Sequence, residues 1–127
     1  MGKSVIYTDK APAAVGPYSQ AIKTEHFVYT AGQVAIDPAI SKLIEGDISA
    51  QTEQVLKNLR SILQAAGTDL NKVVKTTVFL QDMAHFASMN EVYSRYFGDN
   101  PPARTTIAVA ALPLGALVEI EAVALLE

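Results

Sequence analysis

Arg104 follows the stiff Pro101-Pro102 pair and precedes a long apolar tail, TTIAVAALPLGALVEIEAVALL, in which the only charges are Glu119 and Glu121. A guanidinium presents a planar fork that matches a carboxylate through two parallel hydrogen bonds, which an ammonium cannot copy. The other two arginines, Arg60 and Arg95, fall inside helical patterns. Arg104 therefore has two readings: a structural ion pair with one of the glutamates, or a receptor for a small organic anion. The glutamates also have two. Alternating charges on a strand mark a solvated face, whereas two carboxylates two residues apart, about 7 Å along a strand, could serve acid–base chemistry on a glycoside. With no tryptophan and no aromatic cluster beside the pair, the glycoside reading is the weaker.

Other residues could join such a site. Tyr18 in GPYSQA follows Pro17, and its ring either fills the core with the hydroxyl at the rim or projects into a cleft. Asn90, next to Met89, reads on its own as a solvated amide, and His85 as a residue of the turn before a helix. Gly32 in TAGQ ends a strand where the backbone can approach a ligand closely. His26 and His85 are too few and too distant in sequence to argue for a metal, and the absence of cysteine removes thiolate metal sites, thiol nucleophiles and disulfides.

Composition bounds the rest. The 127 residues fit one compact domain over 1–127, half of them hydrophobic and 18% charged. The net charge of −3, with lysines scattered rather than clustered, argues against nucleic acid as a partner. No apolar run reaches membrane-spanning length without charge, and MGKSVIYTDK lacks a signal-peptide core. The expected compartment is cytoplasmic, with the mitochondrial matrix as the alternative.

Several elements must hold these residues in place. SVIY (4–7), YSQAIKT (18–24) and HFVYTAG (26–32) read as strands, the last two as a hairpin, and DPAISK (37–42) as a turn-rich connection. Val55, Leu56, Leu59, Ile62, Leu63 and Ala66 form one helical stripe, with Asp47 or Ser49 to cap it and Gly67 to end it. VVKTTVFL (73–80) is a buried strand. A second helix covers 84–97, with Phe86, Met89, Val92, Tyr93, Tyr96 and Phe97 inward, Asp82 as cap and Gly98 as stop. ARTTIAVA (103–110) and LVEIEAVALL (117–126) are the last strands, expected as a second hairpin around Pro113 and Gly115. Alternation puts Arg104, Thr106 and Ala108 on one strand face and Glu119 and Glu121 together on one face of theirs. The order β, β, β, α, β, α, β, β implies a mixed sheet with helices on one side. A second subunit is the simplest cover for the other side.

GPYSQA, TAGQVA, VVKTTVFLQDMAHFASMNEVYSRYF, PPAR and ALPLGALVEIEA, in this order and spacing, resemble the RidA/YjgF family of imine deaminases from about Ala11 to Ala124. The resemblance implies an α+β fold like that of chorismate mutase, a mixed β-sheet with two helices packed on one face, assembled as a homotrimer with clefts between neighbours. It implies hydrolysis of reactive 2-imino acids, such as 2-iminobutanoate and 2-iminopropanoate, to 2-oxo acids and ammonia. These species leak from pyridoxal-phosphate enzymes acting on threonine and serine and damage other such enzymes. The family works without metal or organic cofactor. Matched position by position, Arg104 corresponds to the arginine that holds the substrate carboxylate and Glu119 to the acid that positions the attacking water. Tyr18 and Asn90 correspond to site residues, and Gly32 to a source of backbone contacts; Glu121 has no catalytic counterpart. Ala31 stands where the family often has Ser, so one hydroxyl contact is missing. Thr105 and Thr106 replace a common Ser-Cys pair, at the second of which the site usually uses backbone groups, as Thr106 still allows. Two rival readings accompany the deaminase: a trimer that binds small carboxylates for regulation without turnover, and an RNA-cleaving translation inhibitor. The latter fits poorly with negative charge and no histidine pair.

Overall fold

The computed structural model describes residues 2–126. Eight strands and two helices follow one another as β1 (Ser4–Ile6), β2 (Ala21–Lys23), β3 (Phe27–Thr30), β4 (Ile36–Asp37), β5 (Lys42–Leu43), α1 (Ile48–Ala65), β6 (Val73–Leu80), α2 (Phe86–Phe97), β7 (Ala103–Ala108) and β8 (Val118–Leu125). Six strands form one sheet in the order β1-β2-β3-β8-β6-β7, while β4 and β5 make a separate two-stranded ribbon. Only the edge pair β6–β7 is parallel, as expected for strands joined through the crossover helix α2.

Both helices begin and end as their sequences require. The Asp47 carboxylate accepts a hydrogen bond from the Ala50 backbone N–H at 3.0 Å, so Asp47 rather than Ser49 caps α1. Asp82 accepts from the Ala84 N–H at 2.8 Å in a single 3₁₀ turn, Met83–His85, that precedes α2. Gly98 then leaves α2 at φ +68°, where a side chain would be strained. The stripe of α1 buries Val55, Leu56, Leu59, Ile62 and Leu63 completely against Val28, Val78, Leu80, Val118, Ile120 and Ala124 of the sheet. Met89 and Tyr93 of α2 join the same core, whereas Phe86 is partly exposed and Tyr96 and Phe97 are half-buried. Buried amides tie loops to this core: Gln51 Oε1 accepts from the Leu117 N–H, and Asn58 donates to the carbonyls of Val34 and Ile36.

Two expectations are corrected. DPAISK is not simply a connection, because its ends pair as the β4–β5 ribbon (Ile36↔Leu43, Asp37↔Lys42). The last two strands are not a hairpin, because β6 lies between β7 and β8. The central position goes to β8, whose Val118, Ile120, Ala122 and Ala124 are all buried under the helices. The less buried β7 takes the edge.

The face of the sheet away from the helices carries cross-strand rows: Tyr29–Val123–Lys75, Glu121–Thr77–Thr105 and Glu119–Phe79–Ile107. Tyr29 and Ile107 are 46% and 43% exposed, so large apolar groups on this face meet solvent in a single chain.

A candidate active site in two halves

Register decides where the two charged residues go. Arg104 lies opposite Thr76, whose hydroxyl is buried against Tyr93 of α2, so Arg104 is on the helix side of the sheet. Glu119 lies opposite Phe79, three positions along β6 from Thr76, and so emerges on the other side. The ion-pair reading of Arg104 with Glu119 or Glu121 therefore fails within one chain. Among the described residues the carboxylate ion pairs are Glu25–His26, Glu53–Lys57 and Glu91–Arg95, and none involves Arg104.

The Arg104 half is a hollow of about 330 Å³ lined by Asn90, Tyr93, Ser94, Gly98, Pro101, Pro102 and Arg104. The guanidinium carbon sits 4.7 Å from the Tyr93 ring centre and 5.6 Å from that of Phe86. Burial pushes the Tyr93 hydroxyl pKa up, although its bond to Thr76 and the nearby Arg104 charge pull the other way, so the ring stays a neutral phenol. The side-chain oxygens of Asn90 and Thr106 are buried, and among the described residues neither has a hydrogen-bond partner. Buried polar atoms are ordinarily paired, so these two stand out as exceptions on the Arg104 side of the sheet. This replaces the solvated-amide reading of Asn90. Thr106 shares the Arg104 face of β7 without lining the hollow itself.

The Glu119 half is a larger hollow of about 800 Å³, mostly apolar, in which Tyr18, Gly32, Val34, Pro113, Leu114 and Glu119 take part. Gly32 lets the Glu119 carboxylate lie close against the backbone: a Cβ there would lie 2.9 Å from the Glu119 carboxyl carbon and would push that side chain aside. A backbone bridge between Gln33 and Ile120 (2.9 and 3.1 Å) clamps this glycine beside β8. Burial raises the Glu119 pKa, and the Glu121 charge on the same face raises it further. Tyr18 is 51% exposed, so its ring borders the hollow instead of filling the core, and its hydroxyl accepts from the Val15 N–H at 3.3 Å. Ser41 and Leu114 both border this hollow, and both hold a left-handed backbone, at φ 55° and 59°. Such strain concentrates at functional sites.

Thus one chain gathers Arg104, Asn90 and Thr106 on one side and Tyr18, Gly32 and Glu119 on the other. Sequence reasoning missed Phe86 and Tyr93 as neighbours of Arg104. A signal existed, since Phe86, Asn90, Tyr93 and Phe97 fall on one helical stripe and an amide inside an aromatic stripe is anomalous. It also missed Leu114, for which alternation offers no sign. His26 pairs with Glu25 in an exposed turn and His85 lies 3.3 Å from Gln81, so neither reaches a hollow. Among the described residues no three metal-ligating side chains cluster, and no helix is long and apolar enough to cross a membrane.

A mixed sheet carrying two helices on one face defines an α+β protein, and the two halves of its candidate site lie on opposite sides of that sheet. The family model described as Endoribonuclease L-PSP matches residues 8–126. The chain is 52% identical over 122 residues to the 2-iminobutanoate/2-iminopropanoate deaminase of Mus musculus, covering 96% of this chain and 90% of the mouse protein. It is 52% identical over 124 residues to a RutC family protein of Pyrococcus abyssi, covering 98% of each. A solved Rid-family protein of Yersinia pestis, described as of unknown function, superposes with a TM-score of 0.95 at 49% identity, covering 98% of this chain and all of that one. The chain belongs to the RidA/YjgF family, whose family model carries the endoribonuclease name.

Proposed function

We propose that this protein is a hydrolytic deaminase of 2-imino acids such as 2-iminobutanoate and 2-iminopropanoate, acting as one domain within a homotrimer. The observation that carries this reading is the division of the site. Arg104 has no carboxylate partner among the described residues, and Glu119, with a raised pKa, faces the opposite way. Neither half is sufficient alone. A second copy laid against the open sheet face would cover Tyr29, Phe79 and Ile107, and a site that needs both groups must take its guanidinium from a neighbouring copy. Closed assemblies bring such heterologous patches together at each interface in turn. The activity for which the mouse relative is named supports the choice of substrate.

The chemistry follows from the groups present. The fork of Arg104 holds the substrate carboxylate through charge-assisted bonds, with Asn90 and Thr106 supplying further polar contacts on that side. Tyr18 and the backbone at Gly32 limit how the substrate lies in the second half. Water attacks the electrophilic carbon of the protonated imine while Glu119 takes a proton from that water. Glu119 returns that proton to the carbinolamine nitrogen. As the C–N bond breaks and ammonia leaves, the carbinol hydroxyl gives its proton back to the Glu119 carboxylate and the 2-oxo acid forms, the last proton leaving on ammonium. A carboxylate with a raised pKa is the better base for this step near neutral pH.

The RNA-cleavage reading has the family's endoribonuclease description in its favour. Against it stand the net charge of −3 and histidines that reach neither hollow. The deciding experiment generates imine with an amino-acid dehydratase or oxidase and follows its disappearance with and without the protein. Faster loss with the wild type and none with Glu119→Gln supports the deaminase; retained binding of 2-oxobutanoate without turnover by the wild type would leave a regulatory carboxylate binder instead.

A further inference from the structure

An arginine can recognise a carboxylate only if something fixes its long side chain without using up its donors. An acidic neighbour can do the fixing, but it then occupies the fork that the ligand needs. Here two aromatic rings stand in that place. The guanidinium lies over Tyr93 at 4.7 Å and over Phe86 at 5.6 Å. An aromatic face attracts the cation through its quadrupole and leaves no anion in the fork.

The Tyr93 ring is itself held firmly. It is 5% exposed, its hydroxyl is 2.7 Å from the Thr76 hydroxyl, and the Phe97 ring centre is 4.5 Å away. Thr76 is also the register partner of Arg104 on β6. The ring beneath the guanidinium is thus tethered to the strand position beside Arg104, which couples the aim of the fork to the sheet. Phe86, about two turns earlier on the same stripe and 37% exposed, closes the bracket from the solvent side.

Resting on the reading of Arg104 as the carboxylate receptor, we infer that Tyr93 and Phe86 are positioning residues, an aromatic bracket that pre-orients the Arg104 fork for a substrate carboxylate. Their effect runs through Arg104 and falls on binding, not on the chemical step. The Tyr93 hydroxyl anchors the ring through Thr76.

The test compares the wild type, Phe86→Leu, Tyr93→Phe and Tyr93→Leu, each also combined with Arg104→Lys. Affinity for 2-oxobutanoate is read by titration calorimetry, KM and kcat in the imine assay, and the unfolding midpoint separately. Phe86→Leu, at a partly exposed position, is expected to weaken 2-oxobutanoate binding and raise KM by about two- to thirtyfold, the range of a cation–π contact, with kcat and the midpoint nearly unchanged. Tyr93→Phe is expected to lower the midpoint yet keep KM, because the ring remains. Tyr93→Leu, where it folds, raises KM at least as much as Phe86→Leu. In the Arg104→Lys background the ring substitutions add little further loss. Unchanged affinity in Phe86→Leu, or an equal loss with and without Arg104, overturns the bracket while leaving the receptor intact. A wild type that does not bind 2-oxobutanoate overturns the receptor reading and the bracket with it.

Discussion

Arg104 and Glu119 leave the same sheet on opposite faces: the first is paired with Thr76 under helix α2, the second with Phe79 on the uncovered side. An enzyme that needs both groups at one substrate must borrow one of them from another copy. Mixing two inactive proteins tests this directly. Glu119→Gln supplies an intact Arg104 half and Arg104→Ala an intact Glu119 half. After co-unfolding and refolding, the mixture is expected to recover roughly a quarter of the wild-type sites, the statistical share of clefts drawing each half from an unmodified surface. No recovery, with mixed assemblies verified by mass, would place the whole site within one chain.

Arg104→Lys preserves the charge and removes the fork. Loss of a bidentate, charge-assisted contact corresponds to about 1.5–3 kcal/mol, or about ten- to a hundredfold in kcat/KM. The loss is expected in KM, with circular dichroism and the unfolding midpoint unchanged. A wild-type KM would remove Arg104 from substrate recognition.

Gly32→Ala is expected to act through Glu119. The new Cβ would collide with the carboxylate, and that flexible side-chain end, not backbone, must move. Stability should therefore change little while kcat falls by about tenfold or more, as expected when a proton-transfer group is displaced. Steady-state kinetics beside thermal melts separate the two effects, and undiminished kcat would show that the water is activated elsewhere.

Glu119 also sets a pH signature. Its folded pKa is raised, by burial first and by Glu121 second. Ionisation is thus disfavoured in the fold, and wild-type stability declines as pH rises from the unfolded-chain value, about 4.3, through the higher folded value. Glu119→Gln escapes that decline. It is expected to be more stable than wild type at pH 7, with the difference vanishing below about pH 4, as denaturant titrations at matched protein concentration would reveal. In kinetics, the acidic limb of kcat/KM should lie above the ordinary glutamate range and move down in Glu121→Gln. A limb that ignores Glu121 would count against Glu119 as the titrating base.

Much of this arrangement was legible from local chemistry. The α1 stripe, Asp47 at its start and the Gly98 stop of α2 are short-range demands of helical geometry, met within a turn or two of chain. Alternation along β7 and β8 sorted Arg104 with Thr106 and Glu119 with Glu121, because side chains on a strand change face at every residue. The bland reading of Asn90 failed because its solvent exposure depends on what packs over α2, and its side-chain oxygen is in fact buried and unpaired.

What the sequence alone determined is which residues share a face within each element, since that follows from backbone periodicity. It could not determine how the faces of β7 and β8 relate, because their relative phase is set by pairing with β6, between Thr76↔Arg104 and Phe79↔Glu119. Pairing is a long-range choice that local pattern does not carry: β6 took the place beside β7 that the hairpin expectation gave to β8, and β8 went to the buried centre of the sheet. Only the tertiary structure could therefore divide the candidate site between two sides of one sheet and set Tyr93 beneath Arg104.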